Sequence, residues 1–191
     1  MEQQVVIGVE QLRQAFASTR AILEEVRRDQ LGLPTPCASW DVAALINHFV
    51  GSARWAASTV SAEDGPAEWD FAAGDFVAAY DDSIEMVLAA FGVDGVLDEE
   101  FVLPFGAYSG ARMLSLTVRE QFIHGWDLAR SIGRPANLLP ELATDLLSDA
   151  RVEITDELRG PDTVAFFGPA VDAGDDACPA DRLATFLGRS I

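Results

Sequence analysis

The 191-residue chain carries 31 acidic residues against 13 basic ones, a formal net charge of −18, so a phosphate backbone would be repelled and nucleic acid is a poor partner. Hydrophobic residues make up 49% of it, which supplies a sizeable core and excludes global disorder. No apolar run is long enough to span a bilayer, and the start, MEQQVVIGVEQLR, has no basic stretch before an apolar one. Neither a signal peptide nor a membrane partner is expected, and a cytoplasmic location is.

Residues 5–28 carry Val9, Leu12, Phe16, Ile22, Leu23 and Val26 at helical spacing, and Gly32, Pro34 and Pro36 close that segment. In PTPCASWDVAALINHFVG, Ser39 reads as an N-cap with Asp41 in the first turn. Val42, Leu45, Ile46, Phe49 and Val50 then mark one face of a second helix. After the connector EDGPAEWDFAAGD, Phe76, Tyr80, Ile84, Val87, Leu88 and Phe91 predict a third helix ended by Gly92 and Gly95. Residues 96–110, broken by Pro104 and Gly106, read as a crossover loop with a short extended ribbon.

A fourth helix, ARMLSLTVREQFIHGWDLARSIG, stops at Gly133 with Pro135 behind it. A fifth over 140–158 starts at a Pro, and a short last one, ADRLATFLGR, follows a Pro- and Gly-punctuated segment. Four long helices with moderate connections suit an all-α four-helix bundle with additional short C-terminal helices. One domain over residues 1–191 is expected, with 161–191 as a tail packing back on the bundle. The runs DDSIE, DEE and DAGDD read as a solvated face.

The fourth helix is apolar nearly all round, yet it holds Glu120 and His124 four residues apart on one stripe. A buried carboxylate needs a partner. The pair can bond each other at the core edge, or both can donate lone pairs to a metal ion. The other histidine, His48, lies in the second helix, roughly 120° from the centre of its apolar stripe. Spacing thus permits a His–Glu–His cluster across two helices without compelling it. Such a set would leave a coordination position open, as catalytic and ligand-binding sites do.

Asp127, three residues after His124, reads as the acceptor that orients that imidazole or as a local cap. Arg54, Arg119 and Arg130 suit either an anionic ligand or ordinary ion pairs. Trp40, Trp55, Trp69 and Trp126 suit either pocket walls or core positions. Cys37 and Cys178 form no CxxC pair; a bridge between them stays open, beside two buried or idle thiols.

The segment PTPCASWDVAALINHFVG resembles the T-P-C-x-x-W…L-x-x-H signature of the DinB/YfiT-like metal-binding family. REQFIHGWDLARSIG is similar to the E-x-x-x-H-G-W-D-L-A-R signature of its actinobacterial branch, which includes mycothiol-dependent maleylpyruvate isomerase. The ending FFGPAVDAGDDACPADRLATFLGR is similar to the close of a short subfamily described only as metal-binding. The resemblance implies an up-down-down-up DinB-like bundle with one divalent metal on His48, Glu120 and His124. Zn²⁺ suits two imidazoles and a carboxylate best, with Ni²⁺ and Fe²⁺ compatible.

The resemblance also implies a low-molecular-weight thiol such as mycothiol as cofactor, a small-molecule thiol or electrophile as partner, and a homodimer. Three readings stay open: a metal-dependent thiol transferase, a metal- and ligand-binding module without turnover, or an apo bundle in which the three residues are relict or structural. The isomerase carries a further domain that contributes to its active site, so maleylpyruvate isomerisation is not expected here.

Overall fold

A computed structural model describes residues 7–65, 69–103, 106–161 and 164–191. Residues 5 and 6 of the first predicted helix, part of the connector after the second, and the break at Pro104 lie outside the described residues. The helices are α1 (Val9–Leu23), α2 (Val42–Ser61), α3 (Phe76–Phe91), α4 (Gly110–Ser131), α5 (Pro140–Glu153) and α6 (Pro179–Phe186).

Local chemistry sets the helix starts. Asp41, Asp75 and Ser109 accept hydrogen bonds from the third backbone N–H of α2, α3 and α4, at 2.8, 3.1 and 3.2 Å. The cap of α2 is therefore Asp41 and not Ser39, because the carboxylate, not the hydroxyl, reaches the free amide of Ala44. Pro140 and Pro179 open α5 and α6, where their missing N–H costs nothing. Gly133, at φ 71°, supplies the left-handed residue that stops the chain after α4.

The first helix is shorter than its apolar spacing suggests. It ends at Leu23, and a 3₁₀ turn at Arg28–Gln30 follows, while Val26 still reaches the core from the intervening turn. Likewise α5 ends at Glu153, and Asp156–Leu158 forms a separate 3₁₀ turn.

Helices α1 and α2 each pack on both α3 and α4. The second helix buries Val42, Leu45, Ile46, Phe49 and Val50 completely, the stripe its sequence marks. Between α3 and α4 runs an antiparallel hairpin, β1 (Glu100–Leu103) with β2 (Gly106–Ser109), in register Glu100↔Ser109 to Leu103↔Gly106. It is the extended ribbon expected in this crossover.

Helix α6 packs on α5 and α4, and side chains tie this region down. Trp126 Nε1 donates to Asp181 at 2.9 Å, and Arg159 donates to the carbonyls of Phe186 and Gly168 at 2.8 and 3.1 Å. Among the described residues, no helix is long and apolar enough to cross a membrane.

Candidate metal centre

Four fully or nearly buried polar contacts fix the part of α4 that carries Glu120. The Gln121 amide donates to the Phe49 carbonyl of α2 at 3.1 Å and accepts from the Tyr80 hydroxyl of α3 at 2.8 Å. Its own backbone carbonyl accepts from Thr19 of α1 at 2.7 Å. Gln121 also reaches Ser52 at 3.4 Å. One residue thereby pins α4 to the three other bundle helices, and Glu120 beside it inherits that rigidity.

On the adjoining face, one oxygen of Glu120 stands 3.2 Å from the Nε2 atom of His48 and 3.2 Å from that of His124. The three candidate ligand atoms lie within 4.8 Å of one another. His124 is 4% exposed, while Glu120 and His48 keep 29% and 33% of their side chains accessible. The cluster is therefore closed on one side and open on the other.

His124 Nδ1 faces Asp127 Oδ2 at 3.0 Å, the orienting contact that the spacing suggested. With that proton directed at Asp127, Nε2 turns a lone pair toward Glu120 unless a second proton or a cation lies between them. Bonds of about 2.1 Å to a metal would separate neighbouring ligand atoms by about 3.0 to 3.4 Å in octahedral or tetrahedral shells. The two 3.2 Å spacings and the donor chemistry both fit such an ion.

Electrostatics reinforce the cluster. Burial works to raise the Glu120 pKa, but hydrogen bonds and charge from His124 and His48 outweigh it and hold the carboxyl well below its usual range. Burial likewise opposes charge on His124, yet Asp127, Cys37 and Glu120 together raise it well above an ordinary histidine. Asp127 is lowered: its complete burial is overcome by Arg189 and His124.

Two members of this region were not visible as site residues in the sequence. Arg189, beyond α6, places Nη2 and Nε 3.0 and 3.3 Å from the two Asp127 oxygens. Cys37, from the turn before α2, sets its Sγ 3.3 Å from Asp127 Oδ2 and 3.5 Å from Arg189 Nη2. Thr35 organises that turn by donating to the carbonyls of Cys37 and Trp40. Cys37, His124 and Asp127 also have ligand atoms close enough for an ion. The Arg189 guanidinium on Asp127 makes that second grouping a poor cation site and favours the His–Glu–His set.

Both cysteines are free and half-buried. Trp40 packs on His48 and His124, with ring centroids 4.3 and 5.7 Å away. Trp40, Trp55 and Trp69 line a cavity of about 900 Å³ that also contains His48, Glu120 and His124. Trp126 is instead fully buried in the core, against Asp181. Arg54 and Arg119 are engaged in the fold, by Ser83 and Asp149 respectively, while exposed Arg130 lies over the Trp126 ring.

Residues 12–129 match the family described as mycothiol maleylpyruvate isomerase N-terminal domain. The chain belongs to this family. The match holds His48, Glu120 and His124 together, whereas Arg189 lies beyond it. Over 181 residues, 93% of either chain, it is 37% identical to uncharacterized proteins of Mycobacterium tuberculosis strains CDC 1551 / Oshkosh and ATCC 25618 / H37Rv.

The crystal structure of the mycothiol-dependent maleylpyruvate isomerase superposes with a TM-score of 0.63 at 17% identity, covering 78% of this chain and 69% of that one. A histidine-to-alanine mutant of that isomerase gives a TM-score of 0.64 at 18% identity with the same coverage. These likenesses establish the DinB-like fold expected from the two sequence signatures.

Proposed function

We propose that His48, Glu120 and His124 hold one divalent metal ion, Zn²⁺ first and Ni²⁺ or Fe²⁺ as compatible substitutes, and that the protein is a thiol-dependent transferase-type enzyme. The observation carrying this reading is the single Glu120 oxygen set 3.2 Å from two imidazole nitrogens on the wall of a large cavity. A divalent ion in that position would stabilise a bound thiol as thiolate at neutral pH, the nucleophile a transfer requires.

The protein's own groups do the rest. Asp127 holds His124 in the tautomer that directs Nε2 at the centre. Arg189 keeps Asp127 ionised for that task. Trp40 packs its ring against that of His48 and restricts it. The half-closed cavity removes a substrate from bulk water while leaving a path of entry.

Family membership supports mycothiol, or a thiol of its kind, as the cofactor, since the relative of known structure is mycothiol-dependent. A cytoplasmic place suits a reaction that needs reduced thiols. Residues 1–191 act in this reading as one unit, because the final segment supplies Arg189 to the Asp127 carboxylate.

The test is thiol-dependent consumption of an electrophile by wild type and by His48→Ala, with Zn²⁺ supplied. The reading expects turnover in wild type and its loss in the variant; equal rates would overturn it. Saturable thiol binding without product would instead make the protein a binding module.

A further inference from the structure

The cavity holding the three candidate ligands is mostly apolar, walled by Trp40, Trp55, Trp69, Leu116, Ile123 and Phe167. Three arginines also line it among the described residues, and each is bound to a carboxylate. Arg112 Nε donates to Glu153 at 2.9 Å. Arg119 donates to Asp149 at 3.2 Å and to Glu153 at 3.4 Å. Arg189 is held by both Asp127 oxygens.

With Glu120, these carboxylates exceed the guanidinium groups by one. A divalent ion with one bound thiolate adds a single positive charge, and the two cancel. A carboxylate entering this space would meet no uncompensated cation and would lose its hydration.

We infer that the second substrate of this cavity is an uncharged, largely apolar or aromatic molecule and not a carboxylic acid. The inference rests on the cavity being the substrate site proposed above, and it adds the chemical class of what enters. Shape agrees: about 900 Å³ accommodates a small organic molecule beside a thiol. The aromatic walls favour flat apolar groups.

Calorimetric titration of the whole chain with methyl 4-phenylbutanoate and with 4-phenylbutanoate tests this. It is run with Zn²⁺ and 2-mercaptoethanol present, so that the thiol fills the open position, and repeated after removal of metal by chelator dialysis. In both conditions the ester should bind at least about tenfold more tightly than the acid. In Glu153→Gln, Arg112 loses its partner and Arg119 loses one of two, so the acid should gain at least about fivefold while the ester changes less than about twofold.

Equal affinities in wild type, no ester binding in either condition, or no gain for the acid in Glu153→Gln would each overturn the inference. If that variant does not fold, Asp149→Asn, which takes one of its two carboxylate partners from Arg119 and leaves Arg112 paired, makes the same comparison. Zn²⁺ binding is followed separately in the same preparations. Ester binding without Zn²⁺ binding would sink the metal centre and spare this inference, and Zn²⁺ binding without ester binding would do the reverse.

Discussion

Replacing Arg189 by Met keeps most of the apolar stem and removes the charge that faces Asp127. Asp127 is fully buried, and Arg189 reaches both of its oxygens at 3.0 and 3.3 Å with only 12% of the Arg189 side chain exposed. Stripping one partner from a buried pair costs about 3–5 kcal/mol, chiefly because the other charge stays buried. Asp127 retains His124 Nδ1 and Cys37 Sγ as neighbours, which places the expected loss at the lower end, about 3 kcal/mol.

With a urea slope of about 2 kcal/mol per molar, the unfolding midpoint should fall by about 1.5 M. Asp127→Asn and the double variant complete a thermodynamic cycle, and the coupling should be at least about 2 kcal/mol. A midpoint shift under about 0.5 M, or coupling near zero, would refute the idea that this pair anchors the final segment to α4.

Further predictions concern the helices around the site. Tyr80→Phe leaves the buried Gln121 Oε1 without its donor and should cost about 1–2 kcal/mol at neutral pH in urea unfolding. Burial raises the Tyr80 pKa well above its ordinary value of 10.0. The unfolded chain therefore loses this proton first, so wild-type stability from this group is complete below about pH 10 and declines above it. The gap to Tyr80→Phe should narrow there, and a gap that widens would contradict the argument.

Gly125→Ala should destabilise by about 1–3 kcal/mol despite better helix propensity, because the new methyl would overlap Thr19 Oγ1 where α1 meets α4. Unchanged thermal unfolding would show that this contact is looser than described. Zn²⁺ affinity should rise with pH between about 6 and 8, by up to about tenfold per unit, because His124 is held above its usual range and must release its proton to a metal. An affinity flat across that interval, measured by competition with a chromophoric chelator, would contradict the assigned protonation.

Much of the fold is legible because the helices obey local rules. The stripe Val42–Val50 and the turn-forming Gly133 act through short-range periodicity and backbone conformation, so the sequence displays them directly. Caps are less certain: Ser39 and Asp41 are both competent, and only the path of the Thr35–Trp40 turn decides that Asp41 reaches Ala44. Glu120 and His124 stand out because they are ionisable residues four apart in a helix that carries apolar residues on nearly every side and is buried around most of its circumference.

His48 is ambiguous on a helical wheel for a physical reason. It sits at the cavity edge, one-third exposed, and not on the buried stripe. Arg189 leaves no local signal, and Cys37 shows only as the cysteine of the T-P-C signature, with nothing to say what it meets. Both meet Asp127 only after the final segment and the turn before α2 fold together, and charge or periodicity in one segment cannot encode a contact across 152 positions of chain.

Elemental analysis of untagged protein, purified without chelator, asks whether the chain holds a metal ion at all, with His48→Ala and His124→Ala prepared alongside. Wild type should carry one divalent ion per chain, both variants should lose it, and the melting temperature of metal-stripped wild type should rise when Zn²⁺ is added. No stoichiometric metal and no thermal shift with Zn²⁺ or Ni²⁺, in protein that is folded, would contradict the proposed metal centre.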